Sequence, residues 1–218
     1  SYSYGSGYLS LGLVQADGKP VFARYGDGYY NFTTYDSDYD RKIIRYLANG
    51  SALDNSFGTS GVVIASYAIN GIASQADGKL LVLGSNGTTP ATNKSYIARY
   101  TTSGTLDSTF GTSGYALFDL ASAQAEGFNT ALELANGKIL VTGFVKLSST
   151  EQVLSVVRLN SDGSLDTSFS EDGIMNFDVP GTLTEAGTQL VVQSDDNILV
   201  SGSGGIDMWA LRLLSVDP

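Results

Sequence analysis

The residues of this chain best suited to making contacts with another molecule crowd into one stretch, Tyr25–Arg41. It holds Tyr25, Tyr29, Tyr30, Phe32, Tyr35 and Tyr39 together with Asp36, Asp38 and Asp40. Tyr beside Asn and Asp on a loop is the composition of recognition surfaces, because the ring offers rigid contact area and a polar tip. Tyr29, Tyr30, Phe32, Tyr35 and Tyr39 are therefore the candidate binding residues, for a glycan or for a protein (a self-assembling copy or a surface partner). The plainer use of the same residues is a decorated hairpin packing on its own sheet. The alternation Asp36-x-Asp38-x-Asp40 offers hard oxygen ligands that suit Ca²⁺. It lacks the following Gly and the distant Glu of an EF-hand loop, and on a strand these acids would share one solvated face. No cofactor is expected, with Ca²⁺ at these three aspartates as the alternative.

Catalysis finds little to work with. The chain has no His and no Cys, which removes the usual bases for Ser or Cys nucleophiles and the best zinc ligands. Two carboxylates could serve a glycosidase, but Asp17, Asp54, Asp77, Asp107, Asp162 and Asp166 fall in repeated turns. Glu126, Glu133, Glu151, Glu171 and Glu185 are scattered without visible pairing. The expectation is no enzyme and no catalytic residue. Gly202-Ser-Gly204 is followed by no Gly-Lys-Ser/Thr, so it is no phosphate loop. A net charge of −10 repels nucleic acid, and no run approaches the ~20 apolar residues of a membrane span. Asn31, Asn49, Asn86 and Asn93 begin N-x-Ser/Thr triplets, a pattern common by chance.

The elements that must position that stretch repeat. Lys19, Lys79, Lys138 and Asn197 end the related segments Gln15–Lys19, Gln75–Lys79, Leu134–Lys138 and Gln193–Asn197, and step by 60, 59 and 59 residues. Arg45, Arg99, Arg158 and Arg212 step by 54, 59 and 54. Leu-Asp-x-x-Phe occurs at Leu53–Phe57, Leu106–Phe110 and Leu165–Phe169. A period near 60 carried through the chain fixes a repeat architecture. Asp-Gly between extended runs predicts two-residue type I′ hairpins. In each Leu-Asp-x-x-Phe segment, Asp is expected to cap the local backbone, with Leu and Phe on one side of a single helical turn plugging the sheet end. Each repeated Arg is expected to pair with a repeat Asp or a backbone carbonyl, with a cationic ring near an axis as the alternative.

The second strand of each repeat is apolar on consecutive positions, as in Leu80–Leu83, Ile139–Val141 and Ile198–Val200. Such strands need cover on both faces. A four-stranded antiparallel sheet covered on both faces by its neighbours is a β-propeller blade. The expected fold is all-β, a propeller of four ~60-residue blades forming one domain over 1–218, with repeats at about 6–68, 69–120, 121–178 and 179–218. Residues 1–5 sit before Gln15 as Val62 sits before Gln75, and the last repeat ends before its fourth strand. The N-terminal strand is therefore expected to complete the last blade and close the ring; an open arc of a larger propeller is the alternative. The chain begins without Met or a signal peptide, as a processed or trimmed product would.

The compound pattern Q-A-D-G-K, apolar strand, A-R-Y, turn Gly, L-D-x-S-F-G-x-x-G and a Gly-led strand resembles the delta-60 repeat family. Leu134 in place of Gln, Ser170-Glu171 in place of Gly-Thr and Asp196-Asn197 in place of Gly-Lys depart from it. That resemblance implies a propeller-like bacterial repeat of large secreted or surface proteins, and the acidic, Tyr/Ser/Thr/Gly-rich, Lys-poor composition also points to export. The expected function is a non-catalytic structural or adhesive module at the bacterial surface, with a lectin-like propeller using loop 25–41 as the alternative.

Overall fold

A computed structural model describes residues 7–26, 29–31, 36–38, 41–85, 94–118, 125–148, 150–178, 184–195, 197–204 and 207–213; the side chains of 7–10, 24–26, 29–31, 36–38 and 207 lie outside that description. Within it every regular element is a strand. In chain order these are β1 (Gly7–Val14), β2 (Pro20–Gly26), β3 (Tyr29–Asn31), β4 (Asp36–Asp38), β5 (Arg41–Arg45) and β6 (Val62–Ile64). Then follow β7 (Ala68–Ser74), β8 (Leu80–Ser85), β9 (Ser95–Tyr100), β10 (Tyr115–Leu117), β11 (Ala125–Glu133) and β12 (Ile139–Lys146). The last are β13 (Gln152–Leu159), β14 (Ile174–Phe177), β15 (Glu185–Val192), β16 (Ile198–Gly204) and β17 (Asp207–Leu213). They form antiparallel sheets ordered β1-β2-β5-β6, β7-β8-β9-β10, β11-β12-β13-β14 and β15-β16-β17, with β3-β4 as a separate two-stranded ribbon.

Local chemistry sets the hairpins, though not in the form expected. Gln15 N–H donates to Lys19 O at 3.0 Å and Gly18 N–H to Gln15 O at 2.9 Å, with Gly18 at φ +82°. Asp17 is not left-handed. The connection is a type I turn closed by a left-handed Gly rather than a type I′ pair. Asp17 Oδ1 accepts the Lys19 N–H at 3.1 Å, a local Asx-type bond two residues on. The same arrangement recurs at Gln75–Lys79. Each first strand then carries a bulge at the matching place, at Leu9/Leu11, Ile69/Gly71, Phe128/Thr130 and Gly187/Gln189. One extra residue there bends the strand and adds twist.

Burial on both sheet faces is observed where consecutive apolar residues demand it. Leu80 and Val82 join a core with Val21, Ile43 and Phe57 of the first sheet. Leu81 and Leu83, pointing oppositely, join Phe128, Ile139 and Val141 of the third. Leu140, Leu154 and Val156 pack on Ile198 and Val200 of the fourth. The sheets thus stack in chain order through three cores. Removing each such side chain from water contributes roughly 1.5–3 kcal/mol. The expected strand at residues 1–5 and the chain after Leu213 lie outside the described residues, so the closure of the ring does too.

Candidate functional site

The repeated polar residues converge at the junctions between sheets. At the second junction Arg99 Nε donates to Asp107 Oδ2 at 2.9 Å, and its guanidinium carbon lies 4.5 Å from the centroid of the Phe110 ring. Arg99 Nη1 donates to Ser161 O in the third sheet at 2.5 Å. Gly111 N–H donates to Asp162 O across the same junction at 2.6 Å. The first junction repeats this: Arg45 pairs with Asp54 at 2.9 Å, lies 4.4 Å from the Phe57 centroid and donates to Thr102 O at 2.8 Å. Gly58 N–H there donates to Ser103 O at 2.8 Å. Arg158, Asp166 and Phe169 form the third set. We call each set a latch. At Arg45 and Arg99 both expected partners, the Asp and a carbonyl, are present at once. Buried as they are, Arg45, Arg99 and Arg158 line no cationic ring; Arg212 is exposed and paired with Asp195.

Two features of the latch differ from the sequence expectation. Leu106 and Phe110 do not share one side of a helical turn: Phe110 is fully buried between sheets, while Leu106 is 37% exposed and bridges Tyr100. The segment is a series of turns, in which Asp107 Oδ1 accepts both the Thr109 N–H at 3.1 Å and its hydroxyl at 2.6 Å. A side-chain cap two residues on satisfies the backbone without a helix.

The same bonds settle the protonation of these acids. The Thr109 hydroxyl, opposed by burial and aided by the Thr109 N–H, Arg99 and Lys79, holds the Asp107 carboxyl down at about 2. The Ser56 hydroxyl leads the same effect at Asp54. At Asp166 burial pushes upward and is outweighed by Ser168, Lys138 and Arg158. Carboxylates held ionised this firmly make poor general acids.

Further ties cross the junctions. Gln15 Nε2 donates to Gly78 O at 2.7 Å. Glu133 accepts from Gln75 Nε2 and from Ala76 N–H, both at 2.6 Å. Glu126 accepts the Ser95 N–H at 3.2 Å. Sequence reading left Glu126 and Glu133 unassigned, since their partners lie 31 and 57 residues away. A cleft of about 520 Å³ opens at the first junction beside Gln15, Lys19, Arg45 and Asp77, and one of about 630 Å³ at the second beside Tyr115, Phe118 and Asp162. Tyr115 packs edge to face on Tyr67 and Tyr96 at 5.6 and 5.8 Å, with Tyr67 tilted against Tyr96 at 5.4 Å, and burial pushes the Tyr96 hydroxyl far above its ordinary range. It stays a neutral donor, to Ala68 O at 2.9 Å.

The sequence-predicted binding residues stand apart from the junctions. Tyr29 and Tyr30 lie on β3, where the backbone pairs Tyr29 with Asp38, Tyr30 with Ser37 and Asn31 with Asp36. Asp36 and Asp38 thus share β4. Phe32, Tyr35, Tyr39 and Asp40 lie outside the described residues. Among the described residues no group of three or more acidic, His or Cys side chains is placed to hold a metal.

Residues 75–110 and 134–169, the two stretches that contain the second and third latches, match the family described as "Domain of unknown function (DUF5122) beta-propeller". That match supports a β-propeller-like repeat over these stretches. Among solved structures the chain is similar to a subtype N10 neuraminidase-like protein of A/little yellow-shouldered bat/Guatemala/060/2010. That match has 14% identity and a TM-score of 0.52, over 99% of this chain and 62% of the other. A protein of unknown function from Dyadobacter fermentans DSM 18053 matches with 14% identity and a TM-score of 0.48, over 94% and 59%. The chain spans less than two thirds of either, and at such identity the first likeness speaks to fold alone. No curated protein matches the chain. The four sheets are hereafter called blades.

Proposed function

We propose that this chain is a non-catalytic structural or adhesive module, exported to the bacterial surface, in which four blades form an open arc and present the β3–β4 ribbon to a protein partner. One observation carries the reading. The polar residues that recur with the period are spent joining one blade to the next, while among the described residues β3–β4 is the element that belongs to none of the four sheets. The open arc is supported by the two end faces: Val14 is 66% exposed on the first blade and Met208 is 90% exposed on the fourth. The test is to probe bacterial surface fractions with the purified protein and with its Tyr29→Ala/Tyr30→Ala variant. Retained folding with lost capture of one protein supports the reading. Equal capture by both removes the ribbon from it.

A lectin-like role for the same ribbon is the second reading, favoured by its tyrosines. A glycan-array signal lost in the same variant would replace the protein partner by a carbohydrate. Turnover of a glycoside substrate by the purified chain would overturn both.

A further inference from the structure

The latch has a giving half and a receiving half. In the second and third blades the receiving half is a turn Gly, Gly104 or Gly163, seated against the Phe of the preceding blade. A Cβ on Gly104 would meet Gly58 N at 2.8 Å and the Phe57 ring at 3.0 Å; on Gly163 it would meet the Phe110 ring at 2.9 Å. Both glycines are buried. The first blade has the matching turn, Leu47–Gly50, closed by the same Gly50 N–H to Leu47 O bond at 2.8 Å with Gly50 at φ +69°. Its Gly50 is exposed, and a Cβ there would meet nothing within 4 Å.

The neighbouring sheet face repeats the contrast. Leu80, Val82, Ala98 and Tyr100 are buried under the first blade, and Ile139, Val141, Val157 and Leu159 under the second. The matching residues of the first blade are Pro20, Phe22, Ile44 and Tyr46, equally apolar and only half-buried. Phe22 and Tyr46 rest edge to face on each other at 5.8 Å. The face is built like an interior junction surface and is left uncovered among the described residues.

We propose that the Leu47–Gly50 turn and the Pro20, Phe22, Ile44, Tyr46 face form a docking surface whose occupant is another propeller repeat carrying an unengaged latch. That latch is a Leu-Asp-x-Ser/Thr-Phe-Gly turn with its Arg. Its Phe seats on Gly50, its Gly N–H donates to Asn49 O as Gly58 does to Ser103 O, and its Arg donates to Ala48 O as Arg45 does to Thr102 O. A second copy of the described chain has no such latch free, because Phe57, Phe110 and Phe169 are all fully buried. The proposal rests on the open-arc reading above.

The test has two parts. In the unmodified chain, amide hydrogen exchange is compared at the Gly50, Gly104 and Gly163 turns; Gly50 is expected to exchange at least about 10²-fold faster. In the second part residues 7–66 are duplicated in tandem, so that the downstream copy receives the latch of the upstream one. Gly50→Ala in the downstream copy is expected to lower Tm by at least about 5 °C more than Gly50→Ala in the upstream copy, since backbone strain is common to both and only the downstream Cβ meets a ring. Slow exchange at Gly50 in the unmodified chain would overturn the open arc and the proposal together. Fast exchange with equal Tm losses in the two copies would leave the arc standing and overturn the docking surface alone.

Discussion

The Arg99 guanidinium lies over the Phe110 ring, its carbon 4.5 Å from the centroid, while its Nη1 reaches the Ser161 carbonyl of the next blade. One side chain therefore orients an anchor, neutralises Asp107 and joins two blades. Cation–π contact of this kind is worth ~0.5–2 kcal/mol, less than the burial of the Phe itself. The ring is thus the anchor and the Arg the residue that aims it.

Removing the ring tests that ranking. Phe110→Ala is expected to destabilise the chain by about 3–5 kcal/mol through lost burial and a cavity. Leu106→Ala, at a 37% exposed position, should cost under about 1 kcal/mol. Urea unfolding followed by Tyr and Trp fluorescence measures both. Equal losses would restore the picture of two plugs on one helical turn.

Removing the charge has a different signature. Arg99→Met leaves Asp107 buried, with Lys79 still 3.5 Å away; the expected cost is about 3 kcal/mol, the low end for a broken buried pair. Adding Asp107→Asn should recover part of it. A double variant no better than the single one would mean that the carbonyl bond to Ser161, and not the ion pair, carries the residue's contribution.

Acid should unfold the chain through these carboxyls. Asp54, Asp107 and Asp166 titrate lower in the fold than the ~3.9 of an unfolded Asp. A depressed pKa contributes stability that is complete above the unfolded value and is lost as pH falls toward the folded one. The chain has no His, so the urea midpoint is expected to stay flat from about pH 8 to 5 and to fall below about pH 4. Asp107→Asn should shrink that fall. A midpoint that drops between pH 7 and 5 instead would point to other groups.

The ribbon should be expendable for folding. Tyr29→Ala/Tyr30→Ala/Tyr35→Ala is expected to leave the unfolding free energy from urea titration within about 0.5 kcal/mol of the parent while abolishing capture of a surface partner. In the same experiment EGTA reports on Ca²⁺ at Asp36, Asp38 and Asp40. A fall in Tm on chelation, reversed by added Ca²⁺, would assign the metal there, and an unchanged Tm would dismiss it.

How much was legible varies with the range of the interaction. The hairpin glycines could be placed from Asp17-Gly18 and Asp77-Gly78 because turn chemistry is local, yet the turn type could not. Asp-Gly suits a type I′ pair and a type I turn closed by a left-handed Gly alike. The Asp107 cap was legible because its partner, Thr109, is two residues away. The destination of Phe110 was not, since Phe and Leu spaced four apart satisfy a helical turn as well as they satisfy a crevice between sheets. Glu133 gave no signal at all. Its partners, Gln75 and Ala76, are brought to it only when the third sheet stacks on the second.

The sequence by itself determined an all-β chain of like modules. Turn residues and doubly apolar strands are read within about ten residues, and the period by comparing like segments about 60 residues apart. Tertiary structure decided what the repeated polar residues are for, because Arg99 meets Ser161 and Gln15 meets Gly78 only across a junction. Those pairs lie 62 and 63 residues apart, just over one period. A partner at that distance is chosen by how neighbouring sheets pack, and no local pattern encodes it.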